Sequence, residues 1–257
     1  MAHELSLLTW NIHGCVGADR RFDLSRVARV LRELSPEVAA LQEVGEIHGR
    51  IPALDQARAI AEQTGTRLAF MANVFKGRRR YGNAILSRLP ILREVHYDLS
   101  VGRREPRGCL RADLALPGSG ALHVFNLHLG LGMLERRRQA MLLGADILRD
   151  AALAHPMAVV GDFNRWFPGP VRALLRRALD DCAARLSQVE PTYPARLPLF
   201  RLDRVLAGPG LTPLSICVID GGEARAASDH LPLCVRLSVE PPIGREGQDA
   251  LADPPGL

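Results

Sequence analysis

Short apolar runs in this chain repeatedly end in a polar residue of the kind that binds metals or phosphates. The runs have the length and composition of buried strands, as in LLTWN, which ends at Asn11, and VFNLH, which ends at His128. Strand ends in a layered α/β protein converge on one edge, so side chains placed there can meet around a single substrate. The pattern therefore predicts one composite site from seven residues: Asn11, Glu43, His128, Asp162, Asn164, Asp229 and His230.

Helix-like segments alternate with these strand-like runs along the whole sequence. A long helix is predicted from Met133 to Ala152, with Leu134 and Met141 on its buried stripe and arginines 136–138 on its exposed face. Each half of the chain begins with a strand, a polar residue and a helix. This order favours a duplicated two-sheet sandwich of the α/β class.

Length and composition set broad limits. The 257 residues are 47% hydrophobic, and we expect one domain over residues 1–239 with a flexible tail over residues 240–257. The formal net charge of +5 permits a polyanionic partner without requiring one. Because the sequence shows neither a signal-peptide pattern nor an apolar run of about 18 residues, we expect a cytoplasmic protein with no transmembrane segment.

Glu43 and the GDFN segment carry the most specific chemistry. Glu43 closes the apolar run VAALQ, where a carboxylate is costly to bury and a divalent cation is a natural partner. A salt bridge to an arginine is the alternative, and Asn11 adds a neutral oxygen of the kind a hard cation accepts. In GDFN, Asp162 can hold a water while Asn164 binds a phosphoryl oxygen, although a simple Asx-turn would use the same two residues.

Taken in order, these segments resemble the endonuclease/exonuclease/phosphatase superfamily, which shares the deoxyribonuclease-I-like fold, and the chain is similar to small bacterial members. The matching segments span residues 5–234 and are LLTWNIHG, LQEV, YGNAILSRLPI, NLHLG, VVGDFN, LDRV and SDHLPL. The pairing of GDFN with SDH is the specific part of the match. The resemblance implies a four-layer sandwich in which two face-to-face, mostly antiparallel β-sheets are flanked by helices.

The resemblance also implies roles in the Mg²⁺- or Mn²⁺-dependent hydrolysis of a phosphoester. Glu43 is the main expected metal ligand, with Asn11 and Asp229 near the ion or its waters, and Asp162 orients the attacking water. The other expected site residues bind substrate or move protons: Asn164, Arg107 and Asn83 as substrate contacts, His230 as general base or phosphate ligand oriented by Asp203, and His128 as second phosphate ligand or general acid.

Two positions depart from one branch of the superfamily. Apurinic endonucleases typically carry an aspartate two residues after the first asparagine and a tyrosine later, where this chain has His13 and His128. The departures favour the branch of deoxyribonucleases, sphingomyelinases and related phosphodiesterases. The sequence therefore predicts a phosphodiesterase, with a nuclease acting on DNA or RNA as the alternative and a non-catalytic binding protein as the least consistent reading. Nucleic acid, a phospholipid headgroup and a small phosphoester stay open as substrates, and no protein partner is inferred.

Overall fold

The computed structural model describes residues 3–45, 53–76, 79–118, 120–144, 156–164 and 179–240, with the single residues 148, 153 and 175. The strands in these ranges are β1 His3–Asn11, β2 Val38–Gly45, β3 Arg67–Lys76, β4 Arg79–Ser87, β5 Ile91–Asp98, β6 Gly108–Ala115, β7 Ala121–His128, β8 Met157–Asp162, β9 Asp180–Asp181, β10 Asp203–Ala207, β11 Leu211–Val218 and β12 Leu233–Val239. The helices are α1 Leu24–Leu34, α2 Ala53–Thr64 and α3 Met133–Leu142, with short helical turns at His13–Cys15, Cys182–Arg185 and Ala224–Ala227.

The strands form two six-stranded sheets that pack face to face. The first sheet has the order β11-β12-β1-β2-β4-β3, and the second has the order β5-β6-β7-β8-β10-β9. Each sheet contains one parallel pair, β1 with β2 and β7 with β8, while its other neighbouring strands are antiparallel. The predicted pair of mostly antiparallel sheets is therefore confirmed.

Alternation along the strands divides the apolar side chains among three layers of core. In β7, Val124 packs between the two sheets, whereas the next residue, Phe125, packs in the outer layer that α3 covers. On the first sheet, Trp10 points outward and packs with Val27 of α1 and Ile60 of α2. Burying each such side chain contributes about 1.5 to 3 kcal/mol, and together the layers give the expected four-layer sandwich.

A polar network crosses the inter-sheet core directly beneath the predicted site. The Gln42 amide donates to Asn126 Oδ1 over 2.7 Å and to Thr9 Oγ1 over 3.0 Å. Asn126 in turn donates to the carbonyl oxygens of Leu41 and Ala84, each over 2.9 Å. Because a buried amide is costly unless its hydrogen bonds are made, this network fixes how the two sheets align.

Helix α3 differs from the helix that the sequence predicts. It is ten residues long as described, and most of the predicted continuation to Ala152 lies outside the described residues. Leu134 and Met141, expected on the buried stripe, are exposed, while Arg136, expected on the exposed face, is buried. The prediction fails because the buried face of α3 is polar and hydrogen-bonds to neighbouring loops, which a pattern of hydrophobic residues cannot reveal.

The end of the chain is described only as far as Glu240. The flexible tail over residues 240–257 and the domain limit at residue 239 therefore stay predictions. Within the ranges given above, no helix combines the length and the apolar character needed to cross a membrane.

Candidate active site

Two parallel strand pairs deliver the first four predicted residues to one edge of the sandwich. Asn11 ends β1 beside Glu43 on β2, and His128 ends β7 directly opposite Asp162 at the end of β8. Parallel strands have their carboxyl ends on the same side, so each sheet presents two polar side chains together. Asn11 then links the two pairs across the sheets. Its Nδ2 donates to Glu43 Oε1 over 2.9 Å in its own sheet and to Asp162 Oδ2 over 3.2 Å in the facing sheet.

Antiparallel neighbours bring in the next three residues. Asp203 begins β10 opposite Asp162, and the loop before β12 carries Asp229 and His230 to the same edge. His230 Nδ1 lies 2.9 Å from Asp203 Oδ2, and its Nε2 lies 3.8 Å from Asp162 Oδ2. Thr192 Oγ1 donates to the same Asp203 oxygen over 2.6 Å. Asp203 thus holds the imidazole with Nε2 turned toward Asp162, as the sequence predicts for an orienting carboxylate.

The His230 side chain is held in its charged form. Burial alone would lower the pKa of His230, but the neighbouring carboxylates, Asp203 above all, outweigh burial and raise the pKa to about 10. Trp10 Nε1 donates to the backbone carbonyl oxygen of His230 over 2.9 Å and fixes the loop. At neutral pH this residue is an imidazolium, which can bind an anion or donate a proton.

His128 has the opposite electrostatic setting. Burial, with the positive charges of Arg107 and His230, lowers its pKa to about 3. Arg107 NH1 lies 3.1 Å from Nδ1 and the amide nitrogen of Asn164 lies 2.9 Å from Nε2, so donors face both ring nitrogens. Asp162 Oδ2 lies 3.5 Å from His128 Nε2 and is therefore flanked by one neutral and one charged imidazole. Two histidines with pKa values pushed apart are typical of a site that moves protons.

The GDFN turn positions Asp162 through a backbone that only glycine permits. Gly161 has φ 137°, and a Cβ there would lie 1.9 Å from the Leu127 carbonyl oxygen. Asn164 adopts a left-handed φ of 46°, and its backbone N–H donates to Asp162 Oδ1 over 2.8 Å. Its amide also donates to the Leu129 carbonyl oxygen over 2.8 Å. The Asx-turn is thus formed, and it leaves Asp162 Oδ2 directed at the two histidines.

Glu43 is a half-buried carboxylate on a strained segment of β2. Its φ of 55° is left-handed, at an irregularity where β2 pairs with β4, and such outliers persist where the surrounding structure enforces them. Burial raises the pKa of Glu43, the Asn11 hydrogen bond opposes this rise, and the negative charge of Asp229 adds to it. Among the described residues, the one basic side chain that approaches Glu43 Oε1 within 4.0 Å is His128, whose ring is neutral at neutral pH. The arginine salt bridge considered from the sequence is not formed there.

The donors around Glu43 suit a hard divalent cation. They are the carboxylates of Glu43 and Asp229, which act on each other electrostatically, and the amide oxygen of Asn11, which accepts from the His13 backbone N–H over 3.1 Å while the amide nitrogen faces Glu43. Oxygen donors of this kind are those that Mg²⁺ and Mn²⁺ prefer. A partly desolvated carboxylate that lies beside a neutral imidazole rather than a cation gains from such an ion. Glu43 with its neighbours therefore fits the expected metal site.

A second group of potential metal ligands lies deeper. Ligand atoms of Asp162, Asp203 and His230 lie within 4.8 Å of one another. However, Nδ1 of His230 is engaged by Asp203, and the raised pKa keeps the ring protonated at neutral pH. A protonated imidazole cannot ligate a metal, so a cation bound by this group would have to displace that proton.

The sequence matches a known protein family over most of its length. A family model described as the Endonuclease/Exonuclease/phosphatase family matches residues 8–230. The chain belongs to the endonuclease/exonuclease/phosphatase family. The protein YbhP of Escherichia coli (strain K12) is 32% identical over 251 residues, which cover 91% of this chain and 96% of YbhP. Members of this family are generally hydrolytic on phosphoesters and typically use divalent metals.

Three solved structures show the same fold. The endonuclease/exonuclease/phosphatase from Beutenbergia cavernae DSM 12333 has a TM-score of 0.76 and 24% identity, covering 93% of this chain and 72% of that one. The mannosyl-6-phosphatase of Bacteroides thetaiotaomicron VPI-5482 has a TM-score of 0.71 and 19% identity, covering 91% and 99%. TDP2 of D. rerio, complexed with single strand DNA product, has a TM-score of 0.70 and 19% identity, covering 91% and 98%. The deoxyribonuclease-I-like fold is therefore confirmed.

The remaining residues near the site are Arg107, Asn83 and Tyr81. Arg107 reaches the site through His128, whereas Asn83 lies between the sheets and donates to the carbonyl oxygens of Gly108 and Asn126 over 3.1 and 3.3 Å. Tyr81 was not selected from the sequence. Burial raises its pKa, and the charges of Glu43 and Arg107 act on it. Its place in the YGN segment, two residues before Asn83, was the signal available.

Proposed function

We propose that this chain is a Mg²⁺- or Mn²⁺-dependent phosphodiesterase in which Glu43, Asn11 and Asp229 hold the cation. The observation that carries the proposal is the placement of Asp162 between one neutral and one positively charged histidine, beside the half-buried carboxylate of Glu43, which has no strongly basic partner among the described residues. The bound cation would neutralise phosphoryl oxygens and make the phosphorus more electrophilic. Family membership supports hydrolysis of a phosphoester as the reaction.

Asp162 is proposed to orient the attacking water. Its Oδ1 accepts from the Asn164 N–H and its Oδ2 accepts from Asn11 Nδ2, so each oxygen keeps a lone pair that can accept a hydrogen bond from that water. Asn11 and the two histidines surround Oδ2 at 3.2 to 3.8 Å, which fixes its direction. Holding a water in line with the bond to be broken contributes to the rate through orientation.

His230 is proposed to bind the scissile phosphate and to donate a proton. The sequence left general base and phosphate ligand as its two roles, and the raised pKa supports the second because the ring already carries its proton. Asp203 has the positioning role, through its 2.9 Å contact with Nδ1. On the opposite side, His128, Asn164 and Arg107 are proposed to contact the phosphate.

Nuclease activity is the second candidate function. The net charge of +5 and the fold shared with a protein complexed with single strand DNA product favour it.

Asn83 has a buried amide oxygen without a hydrogen-bond partner among the described residues, and it is proposed as a substrate contact for either function.

Substrate panels separate these functions. The full chain would be tested on bis-p-nitrophenyl phosphate, p-nitrophenyl phosphate, plasmid DNA and a short RNA, each with Mg²⁺, Mn²⁺ or EDTA. A phosphodiesterase cleaves the small diester only with metal, and the Asp162→Asn variant loses this activity. Metal-dependent cutting of DNA or RNA instead supports the nuclease. Cleavage of the monoester alone, or no hydrolysis of any substrate, would overturn the proposal.

A further inference from the structure

Helix α3 presents its apolar side chains outward. Met133, Leu134 and Met141 are 61%, 68% and 50% exposed, and Leu131 in the preceding loop is 66% exposed. The buried side of the helix instead carries polar residues, among them Gln139. A helix on the surface of a protein in water normally shows the opposite arrangement, so α3 is inverted.

Polar contacts hold α3 in this orientation. Gln139 accepts from the Gly130 N–H over 2.9 Å and donates to the Leu99 carbonyl oxygen over 3.0 Å. Glu135 accepts from Arg104 NH1 over 3.4 Å. Rotating the helix to bury its apolar side would break these bonds and leave buried polar groups unpaired. The outward apolar side is therefore built into the fold.

Basic residues accompany the exposed apolar side chains. Arg137 and Arg138 lie on the same outward side of α3, and Arg103 and Arg104 are exposed on the adjoining loop between β5 and β6. The acidic residue of that loop, Glu105, is paired with Arg107 at 3.1 Å. The surface therefore combines apolar side chains with an excess of positive charge.

This surface also adjoins the candidate active site. Leu129 directly follows His128, and its N–H donates to the Asp162 carbonyl oxygen over 2.9 Å. Its own carbonyl oxygen accepts from Asn164. Two residues further on, the exposed part begins with Leu131.

We propose that this surface, the α3 face, docks on an anionic lipid bilayer. The α3 face consists of Leu131, Met133, Leu134, Arg137, Arg138, Met141 and Leu142. Exposed apolar side chains can enter the boundary between headgroups and acyl chains while arginines meet lipid phosphates. Charge complementarity selects this occupant, because pairing with a second copy would oppose arginine to arginine and a nucleic acid would leave the apolar side chains in water. The inference goes beyond the proposed hydrolysis and does not depend on it.

Vesicle sedimentation tests the α3 face. The full chain, without divalent metal, would be mixed with vesicles of phosphatidylglycerol and phosphatidylcholine or of phosphatidylcholine alone. We expect binding to the anionic vesicles, reduced at least about tenfold in Met133→Ser/Leu134→Ser and in Arg137→Ser/Arg138→Ser, since each substitution removes apolar or cationic contacts. Leu92→Ser is the matched control, because Leu92 is 61% exposed at the start of β5.

Each other outcome would overturn the inference. These outcomes are no binding by the wild-type chain, an equal loss in the Leu92→Ser control, and no loss in either double variant. Sedimentation equilibrium and DNA binding would be measured on the same proteins. A dimer or a DNA complex that the Met133→Ser/Leu134→Ser variant abolishes would assign the α3 face to that partner instead. Circular dichroism would verify that all variants are folded, which is expected because the substituted side chains are exposed.

Discussion

Replacing Asp203 with asparagine should leave the imidazole of His230 neutral at neutral pH. Carboxylates raise the pKa of His230 from 6.5 to about 10 against the effect of burial. At about 1.4 kcal/mol for each pH unit, this rise corresponds to roughly 5 kcal/mol of preference for the protonated ring. Asp203 supplies the nearest charge and the 2.9 Å hydrogen bond to Nδ1. Without its charge, burial prevails and the pKa falls.

The same change makes the stability of the protein depend differently on pH. The pKa of His230 is higher in the folded protein than the ordinary value of 6.5. Its contribution to stability is therefore fully present below pH 6.5 and is lost as the pH rises through about 10. Asp203→Asn should cost several kcal/mol in the free energy of urea unfolding below pH 6.5. The difference from wild type should shrink in alkaline solution.

Nitrogen NMR of the histidine rings in metal-free protein measures the pKa directly. The chain has eight histidines, so the His230 signal would be assigned from the spectrum of a His230→Gln variant. We expect His230 to stay protonated through neutral pH in the wild type and to be neutral there in Asp203→Asn. A wild-type pKa at or below 6.5, or the same pKa in both proteins, would refute the reasoning.

Two further predictions concern stability and would be measured by urea unfolding. Gly161→Ala should lower the free energy of unfolding by more than about 2 kcal/mol, because the new Cβ would lie 1.9 Å from a backbone carbonyl oxygen at φ 137°. The control Gly65→Ala, at φ 66° with open space around it, should lower it by about 1 kcal/mol. Equal losses of stability in the two variants would contradict this. Burial alone would raise the pKa of Asp181, but Arg201 and Arg204 lower it below its usual value of 3.8. Asp181→Asn should therefore lower the free energy of unfolding by about 3 kcal/mol at neutral pH. This difference from wild type should disappear as the pH falls through the lowered pKa of Asp181. A difference that persists unchanged in acid would argue against the ion pairs.

The convergence of the polar residues could be predicted from the sequence because the strands that carry them are short apolar runs with clear ends. Asn11, His128 and Asp162 each end an apolar run of strand length, and parallel pairing alone is enough to align such ends. The family resemblance added the order of the segments. Asp203 was predicted from the residues themselves, as a strand residue placed to orient a histidine, but its position opposite Asp162 depends on strand register that no local pattern reveals.

What the sequence did not predict depends on contacts between distant segments. The inversion of α3 follows from hydrogen bonds of Gln139 to loops on either side of it, and these override the hydrophobic pattern. The charge states of His128 and His230 arise from burial and from neighbours that are distant in sequence. His230, which helps to lower the pKa of His128, follows it by 102 residues. The left-handed conformation of Glu43 likewise arises from an irregular pairing of β2 with β4.

Under the proposed function, Glu43 holds a cation on which hydrolysis of a phosphoester depends. The most direct test is the initial rate of bis-p-nitrophenyl phosphate hydrolysis against Mg²⁺ concentration, in wild type and in Glu43→Gln. We expect a rate that saturates with Mg²⁺ and is abolished by EDTA in the wild type. Glu43→Gln should lose this activity while its urea unfolding is little changed. Hydrolysis that persists in EDTA, or wild-type Mg²⁺ dependence in Glu43→Gln, would contradict the claim.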